Sequence, residues 1–155
     1  MDRCNKIKML KNRSEGDIKM TRETDQNENP FWVFAIRKTG EYPDPTPDSG
    51  KWLVFVKNEQ AEEFWEKIKK AVEEGRLGSA AKMSTGNPDA KFYDPNRRVI
   101  CVYTYDWTDT EDVMRIREEL RKLGVTWKIP YKTDEDTFSD KYVQTGHKRI
   151  SKYYI

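Results

Sequence analysis

The chain has 155 residues, of which 35% are hydrophobic and 36% are charged, so it has the size of one domain and is very polar for a globular protein. Aromatic residues make up 12% of the sequence, which excludes a wholly disordered chain because disordered chains are poor in them. The formal net charge is only +2, so the charge of the whole molecule does not require a nucleic-acid partner.

The first predicted elements follow a charged N-terminal segment. Residues 1–29 have no periodic apolar pattern, and we interpret them as a flexible charged extension before a single domain at 30–155. Aromatic and β-branched residues at 31–37 predict a strand, and the prolines at 41–50 predict a loop. The apolar run at 51–56 predicts a second strand that is buried.

The middle of the chain alternates between helix and strand patterns. Apolar residues at helical spacing between 61 and 72 predict an amphipathic helix with Asn58 as its N-cap. A short strand is predicted at 80–85. The near-continuous apolar run at 99–102 is typical of a central strand.

The last elements complete a pattern of strand pairs separated by single helices. Thr108 and Glu111 have the spacing of a capping box and predict the start of a second helix. Strands follow at 127–132, where Pro130 indicates a sheet edge, and at 149–155. The order β, β, α, β, β, α, β, β predicts an α+β fold with the helices packed on one face of a sheet, which leaves the other face for a ligand.

Several classes of site are excluded by what the sequence lacks. It has no Gly-rich phosphate loop, no dinucleotide fingerprint and no Cys/His metal spacing. The single histidine, His147, excludes a multi-histidine metal site, and Cys4 and Cys101 do not make a disulfide framework. No apolar run is long enough for a membrane span or a signal peptide. We therefore expect a cytoplasmic protein without a cofactor, a metal or a membrane partner.

The candidate binding residues are cations and aromatic residues on or beside predicted strands. Cations gathered on one sheet face bind anions, and the arginine fork fits phosphate. The basic segment 141–155, which has no acidic residue, could bind phosphate or stack a base, or could form a last strand with a solvated face. The candidate ligand-binding residues are Lys51, Trp52, Lys82, Lys132, Arg149, Lys152 and Tyr153.

Lys82 is the most unusual of these residues because its neighbours are small and apolar. We predict that it lies on a short strand with its ammonium in a concave, partly shielded site, while Met83 points to the opposite face. A shielded ammonium needs a partner. A carboxylate such as Asp106 or Asp136 would make a structural ion pair, and a vacant pocket would make an anion site.

Four segments taken in order carry a resemblance to a known family. GKWLVFV, AAKMST, VICVYTYDWTDTEDVMRIREELRKLG and IPYKTDEDT resemble the family of the basophilic leukaemia expressed protein, over the chain from Phe31 to its end. The resemblance implies a fold similar to the cap-binding translation initiation factor 4E, with helices on the convex side of a curved antiparallel sheet. No tryptophan pair in this sequence matches the two tryptophans that hold the cap in that factor, so the resemblance carries the fold and not the ligand.

The resemblance also implies an alternative activity, because some members are described as phosphothreonine lyases. Such enzymes eliminate phosphate from phosphothreonine, with a lysine that takes the α-proton and a histidine that acts as the acid. In this sequence Lys82 would be the base and His147 the acid, although the Lys-x-His signature of the lyases is absent.

Three functional hypotheses therefore remain from the sequence. The first is a module that binds a phosphate-containing ligand, either a nucleotide or an RNA end. The second is the lyase-like enzyme, whose substrate would be a phosphopeptide. The third is a scaffold for protein interactions without a small ligand.

Overall fold

The computed structural model describes residues 29–91, 93–135 and 152–155. The strands in these residues are β1 Trp32–Ile36, β2 Gly50–Lys57, β3 Ala80–Ser84, β4 Arg97–Thr104, β5 Pro130–Thr133 and β6 Tyr153–Tyr154. The helices are α1 Asn58–Glu73 and α2 Thr110–Lys122. Along the chain they follow the order β1, β2, α1, β3, β4, α2, β5, β6, which confirms the predicted pattern.

The strands form one antiparallel sheet in the order β1-β3-β4-β2-β5-β6. Strands β2 and β4 pair along their whole length at its centre. The prediction that Pro130 marks an edge strand is wrong, because β5 lies between β2 and β6. Pro130 is tolerated as the first residue of β5 because the pairing with β2 begins only at Tyr131, opposite Trp52.

Both helices pack on one side of the sheet, which we call the helix face. The core there contains Trp52 and Val102 from the strands, and Ile68 and Ile116 from the helices, all fully buried. The Trp52 indole also donates a hydrogen bond to the backbone carbonyl of Val113 in α2, at 3.1 Å. Burial of a large apolar side chain contributes about 1.5–3 kcal/mol, so these contacts fix the sheet against the helices.

The helices begin close to the predicted positions but with different caps. Asn58 is the first residue of α1, and the residue before it makes no side-chain capping bond, so Asn58 is not the N-cap. The N-cap of α2 is Asp109, whose side chain accepts from the backbone N–H of Asp112 at 3.2 Å. The hydroxyl of Thr108 instead donates to Asp106 at 2.6 Å. The predicted capping box is therefore wrong by one residue.

Arg117 is a fully buried cation on α2, and its partners are backbone carbonyls. Its guanidinium donates to the carbonyls of Val125, Trp127 and Ile155 at 2.8–3.1 Å. Burial lowers the pKa of Arg117. These bonds fix the loop after α2 and the last residue of the chain, and so position β5 and β6.

Within the described ranges, neither helix combines the length and the apolar character needed to cross a lipid bilayer.

Candidate functional site

The sheet face opposite the helices carries three of the candidate ligand-binding residues, all of them lysines. Lys51, Lys82 and Lys132 lie on β2, β3 and β5, and each is adjacent in its strand to a residue of the helix-face core, namely Trp52, Met83 and Tyr131. Because side chains alternate along a strand, the three lysines share the other face. We call this surface the lysine face.

The strand register places Lys51 beside Lys132 and places Lys82 in the adjacent row, two strands from Lys51. Tyr103, Lys51 and Lys132 lie side by side on β4, β2 and β5. In the adjacent row, Lys82 lies beside Cys101. Directly opposed residues have Cβ atoms about 4.5–5.5 Å apart, so Lys51 and Lys132 are immediate neighbours of equal charge. All three lysines act electrostatically on Cys101, which lies between them.

The Lys51 ammonium is held by a buried carboxylate. Its Nζ donates to Oδ1 of Asp134 at 2.8 Å, and the Ser49 hydroxyl donates to Oδ2 at 2.7 Å. Asp134 is 2% exposed and Lys51 is 9% exposed. Burial alone would raise the pKa of Asp134, but the attraction of Lys51 and the two hydrogen bonds outweigh it and lower the pKa. The carboxylate therefore stays ionised and fixes the Lys51 ammonium.

Lys132 and Cys101 respond differently to this environment. Burial, and then repulsion from Lys51, lower the pKa of Lys132. Burial raises the pKa of the Cys101 thiol, against the opposing pull of the lysines. Cys101 is therefore a protonated thiol rather than a reactive thiolate. An anion bound on this face would reduce the repulsion between the lysines.

Lys82 lies on β3, and Met83 points into the helix-face core, as predicted. The Lys82 ammonium lies 3.9 Å from the centre of the Trp32 ring on β1. Of the two carboxylates considered as partners, Asp106 accepts bonds from two threonine hydroxyls, and Asp136 lies outside the described residues. The Trp32 ring is therefore one contact of the Lys82 ammonium.

Apolar side chains form the floor of the lysine face. Phe55 belongs to this floor, and the Arg97 guanidinium lies 4.7 Å from its ring while it pairs with Asp94 at 3.0 Å. Trp32 and Arg97 also belong to this face, although the sequence pattern alone did not predict them as site residues. Alternation along β1 and β4 places both side chains on the lysine face. The sequence alone does not reveal this, because it depends on how the strands pair. The floor consists of Leu53, Ala80, Cys101 and Tyr103, with Trp32, Phe55 and Val99 packed against it.

Three of the predicted binding residues lie elsewhere. Trp52 is buried in the helix-face core, and Tyr153 packs against that core with its ring 6.3 Å from the Trp52 ring. The apolar run around Trp52 did not reveal which side each residue faces, because β2 is buried on both sides. Lys152 is exposed, with its ammonium 3.9 Å from the centre of the Trp107 ring. We therefore remove Trp52, Lys152 and Tyr153 from the candidate site.

The remaining predictions fall outside the described residues. Arg149 and His147 both lie there, so the proposed pair of Lys82 and His147 stays a prediction. No group of His, Cys, Asp and Glu in the described part of the chain has the arrangement of a metal site.

Solved structures of eIF4E share this fold. The chain matches C. elegans eIF4E-3, solved with the 4E-binding protein Mextli and a cap analog, with a TM-score of 0.51 and 20% identity. It matches Schistosome eIF4E, solved with m7GpppG and 4E-BP, with a TM-score of 0.52 and 15% identity. The matches cover 70% of this chain but only 57% and 59% of those two chains. They confirm the predicted fold, a curved antiparallel sheet with helices on one face.

The sequence also matches a family model. The model is described as basophilic leukemia-expressed protein Bles03, and the match runs from residue 8 to residue 138. It contains the four segments that carry the resemblance described above, from GKWLVFV to IPYKTDEDT. The chain therefore belongs to the Bles03 family.

Proposed function

We propose that the lysine face binds the phosphate groups of a nucleotide or an RNA end. The observation that carries this proposal is the placement of Lys51, Lys82 and Lys132 on one sheet face around Cys101. Ammonium groups held side by side repel one another, and bound phosphate oxygens convert that repulsion into charge-assisted hydrogen bonds. The buried Asp134 holds Lys51 in this geometry before a ligand arrives.

Aromatic residues beside the cations favour a nucleotide over a bare anion. Trp32 contacts Lys82, and Tyr103 lies next to Lys51. Cationic surfaces interleaved with aromatic rings are typical of proteins that bind single-stranded nucleic acid, since the cations meet phosphates and the rings stack bases. The ligands named for the two eIF4E structures, a cap analog and m7GpppG, are nucleotides and support the same class.

The lyase-like alternative has no comparable support. It requires a histidine acid beside the lysine base, and the Lys-x-His signature of the lyases is absent from this sequence. We therefore propose binding without a chemical reaction.

Salt dependence tests the proposal. The dissociation constants of ATP and of a 5′-phosphorylated RNA oligonucleotide are measured with the full chain over a series of salt concentrations. We expect the logarithm of the association constant to fall linearly with the logarithm of the salt concentration. Lys82→Gln and Lys132→Gln should each weaken binding and reduce the slope by about 1.

Lys70→Gln is the matched control because Lys70 is exposed in the last turn of α1, on the opposite side of the sheet. It should leave both affinities unchanged. The proposal fails if neither ligand binds at low salt, or if Lys70→Gln weakens binding as much as Lys82→Gln and Lys132→Gln do.

A further inference from the structure

Trp32 has a position on the lysine face that phosphate binding alone does not explain. It lies on β1, the strand at one end of the sheet order, and its side chain is only partly buried. Its ring packs against the apolar floor of the lysine face. The Lys82 ammonium lies over the same ring at 3.9 Å. Trp32 is therefore a large aromatic surface covered by the end of a flexible side chain.

The strand pairing shows where a ligand on Trp32 would extend. Trp32 pairs with Ser84, two residues from Lys82 on β3, and Lys82 pairs with Cys101 on β4. The pair of Lys51 and Lys132 follows on β2 and β5. A base at Trp32 would thus place the attached phosphates over Lys82 first and towards Lys51 next.

The contact between Lys82 and Trp32 is one that a nucleotide can replace. A base stacked on an aromatic side chain contributes more to binding than an exposed cation–π contact does. Lysine is a compact charge on a flexible four-carbon stem, so its ammonium can move while its Cα stays in β3. After such a move the ammonium has a phosphate as its partner in place of the ring.

We propose that Trp32 stacks the base of the bound nucleotide and that Lys82 moves from the Trp32 ring to a phosphate when the nucleotide binds. This inference rests on the proposed function and extends it from the phosphates to the base. The ligand class is a nucleoside polyphosphate, free or at the end of an RNA chain.

The first test compares ligands with and without a base. ATP and GTP are measured in parallel with inorganic tripolyphosphate, which carries at least as much negative charge but cannot stack. We expect the two nucleotides to bind the full chain about tenfold more tightly than tripolyphosphate. Trp32→Leu should weaken nucleotide binding by about the same factor and leave tripolyphosphate binding unchanged.

Trp127→Leu is the matched control. Trp127 is 38% exposed and contacts Phe64 of α1, away from the lysine face. Its replacement should change neither affinity.

Trp32→Phe keeps a ring in the apolar floor and serves as a second variant if Trp32→Leu does not fold. Nucleotide binding should quench tryptophan fluorescence in Trp127→Phe and should lose that quenching in Trp32→Phe.

Lys82→Met tests the movement of the lysine, because methionine keeps an apolar stem and removes the charge. We expect weaker binding of both ATP and tripolyphosphate, with a salt slope reduced by about 1. Unchanged binding in Lys82→Met would show that the lysine only covers the ring.

The two proposals fail in different ways. Equal affinities for ATP and tripolyphosphate, together with a Trp32→Phe variant that keeps the quenching, overturn the stacking role and leave phosphate binding intact. Failure of ATP, GTP and tripolyphosphate alike to bind overturns the proposed function as well.

Discussion

Lys51 and Asp134 form a buried ion pair, and acid should weaken it. The folded-state pKa of Asp134 is lowered, so the ionised carboxylate stabilises the fold above its unfolded value of about 3.9. That contribution is lost as the pH falls from about 4 through the lowered folded pKa. We predict that Asp134→Asn lowers the free energy of unfolding at pH 7 by about 3–5 kcal/mol, because Lys51 loses its charged partner.

Urea unfolding of the wild type and of Asp134→Asn at pH 7 and pH 3 checks this prediction. The difference between the two proteins should narrow at pH 3, because the unfolded wild type then takes up a proton on Asp134 that the folded state resists. A difference that stays constant or grows on acidification would contradict a stabilising, ionised Asp134. Asp89→Asn changes an exposed carboxylate and is the control, with an expected effect within about 0.5 kcal/mol.

Lys132 should lose its proton more readily than an ordinary lysine. Burial and repulsion from Lys51 lower its pKa, so we predict a titration midpoint below the usual value of about 10.4. Acetylation rates measured across a pH series by mass spectrometry give this midpoint. Lys51→Met removes the repulsion and should raise the midpoint. A wild-type midpoint at or above 10.4 would show that neither effect acts on Lys132.

Helix α2 provides a prediction at the scale of an element. Asp109 caps its N-terminus, whereas Thr108 bonds to Asp106 outside the helix. We predict that Asp109→Ala lowers the free energy of unfolding by about 1 kcal/mol and that Thr108→Ala changes it by less than about 0.5 kcal/mol. Urea unfolding of both variants distinguishes them. A larger loss in Thr108→Ala would restore the cap predicted from the sequence.

The elements could be predicted because their signals are local. The apolar stripes of both helices and the run at 99–102 depend only on spacing within one segment. The cap of α2 was placed one residue early because Thr108 and Asp109 are both good capping residues and only backbone geometry separates them. The prediction of an edge strand from Pro130 is wrong because an edge strand and the first residue of an inner strand both tolerate proline.

The candidate site could be predicted only in part because it depends on pairing between distant segments. Alternation along β3 was enough to separate Lys82 from Met83. It was not enough for Trp52, since its strand is apolar on both sides. The contact between Trp32 and Lys82 requires β1 to pair with β3, across more than 40 residues of chain that contain β2 and α1.

At the scale of the whole molecule, the net charge of +2 conceals an uneven distribution. Helix α1, on the helix face, carries five glutamates and three lysines. The lysine face presents its lysines on β3, β2 and β5, three of four consecutive strands in the sheet, and the buried Asp134 pairs with Lys51. An anionic ligand is therefore attracted to one side of the molecule even though the total charge is small.

The most direct test of the central claim is to locate the bound ligand by NMR. The full chain, labelled with ¹⁵N, is titrated with ATP at low salt, and the backbone amide shifts are followed to saturation. We predict that the largest shifts lie at Trp32, Lys51, Lys82, Cys101 and Lys132 and that the exposed residues of α1 and α2 shift little. Saturable shifts confined to the helices, or no saturable shift at all, would contradict a phosphate-binding lysine face.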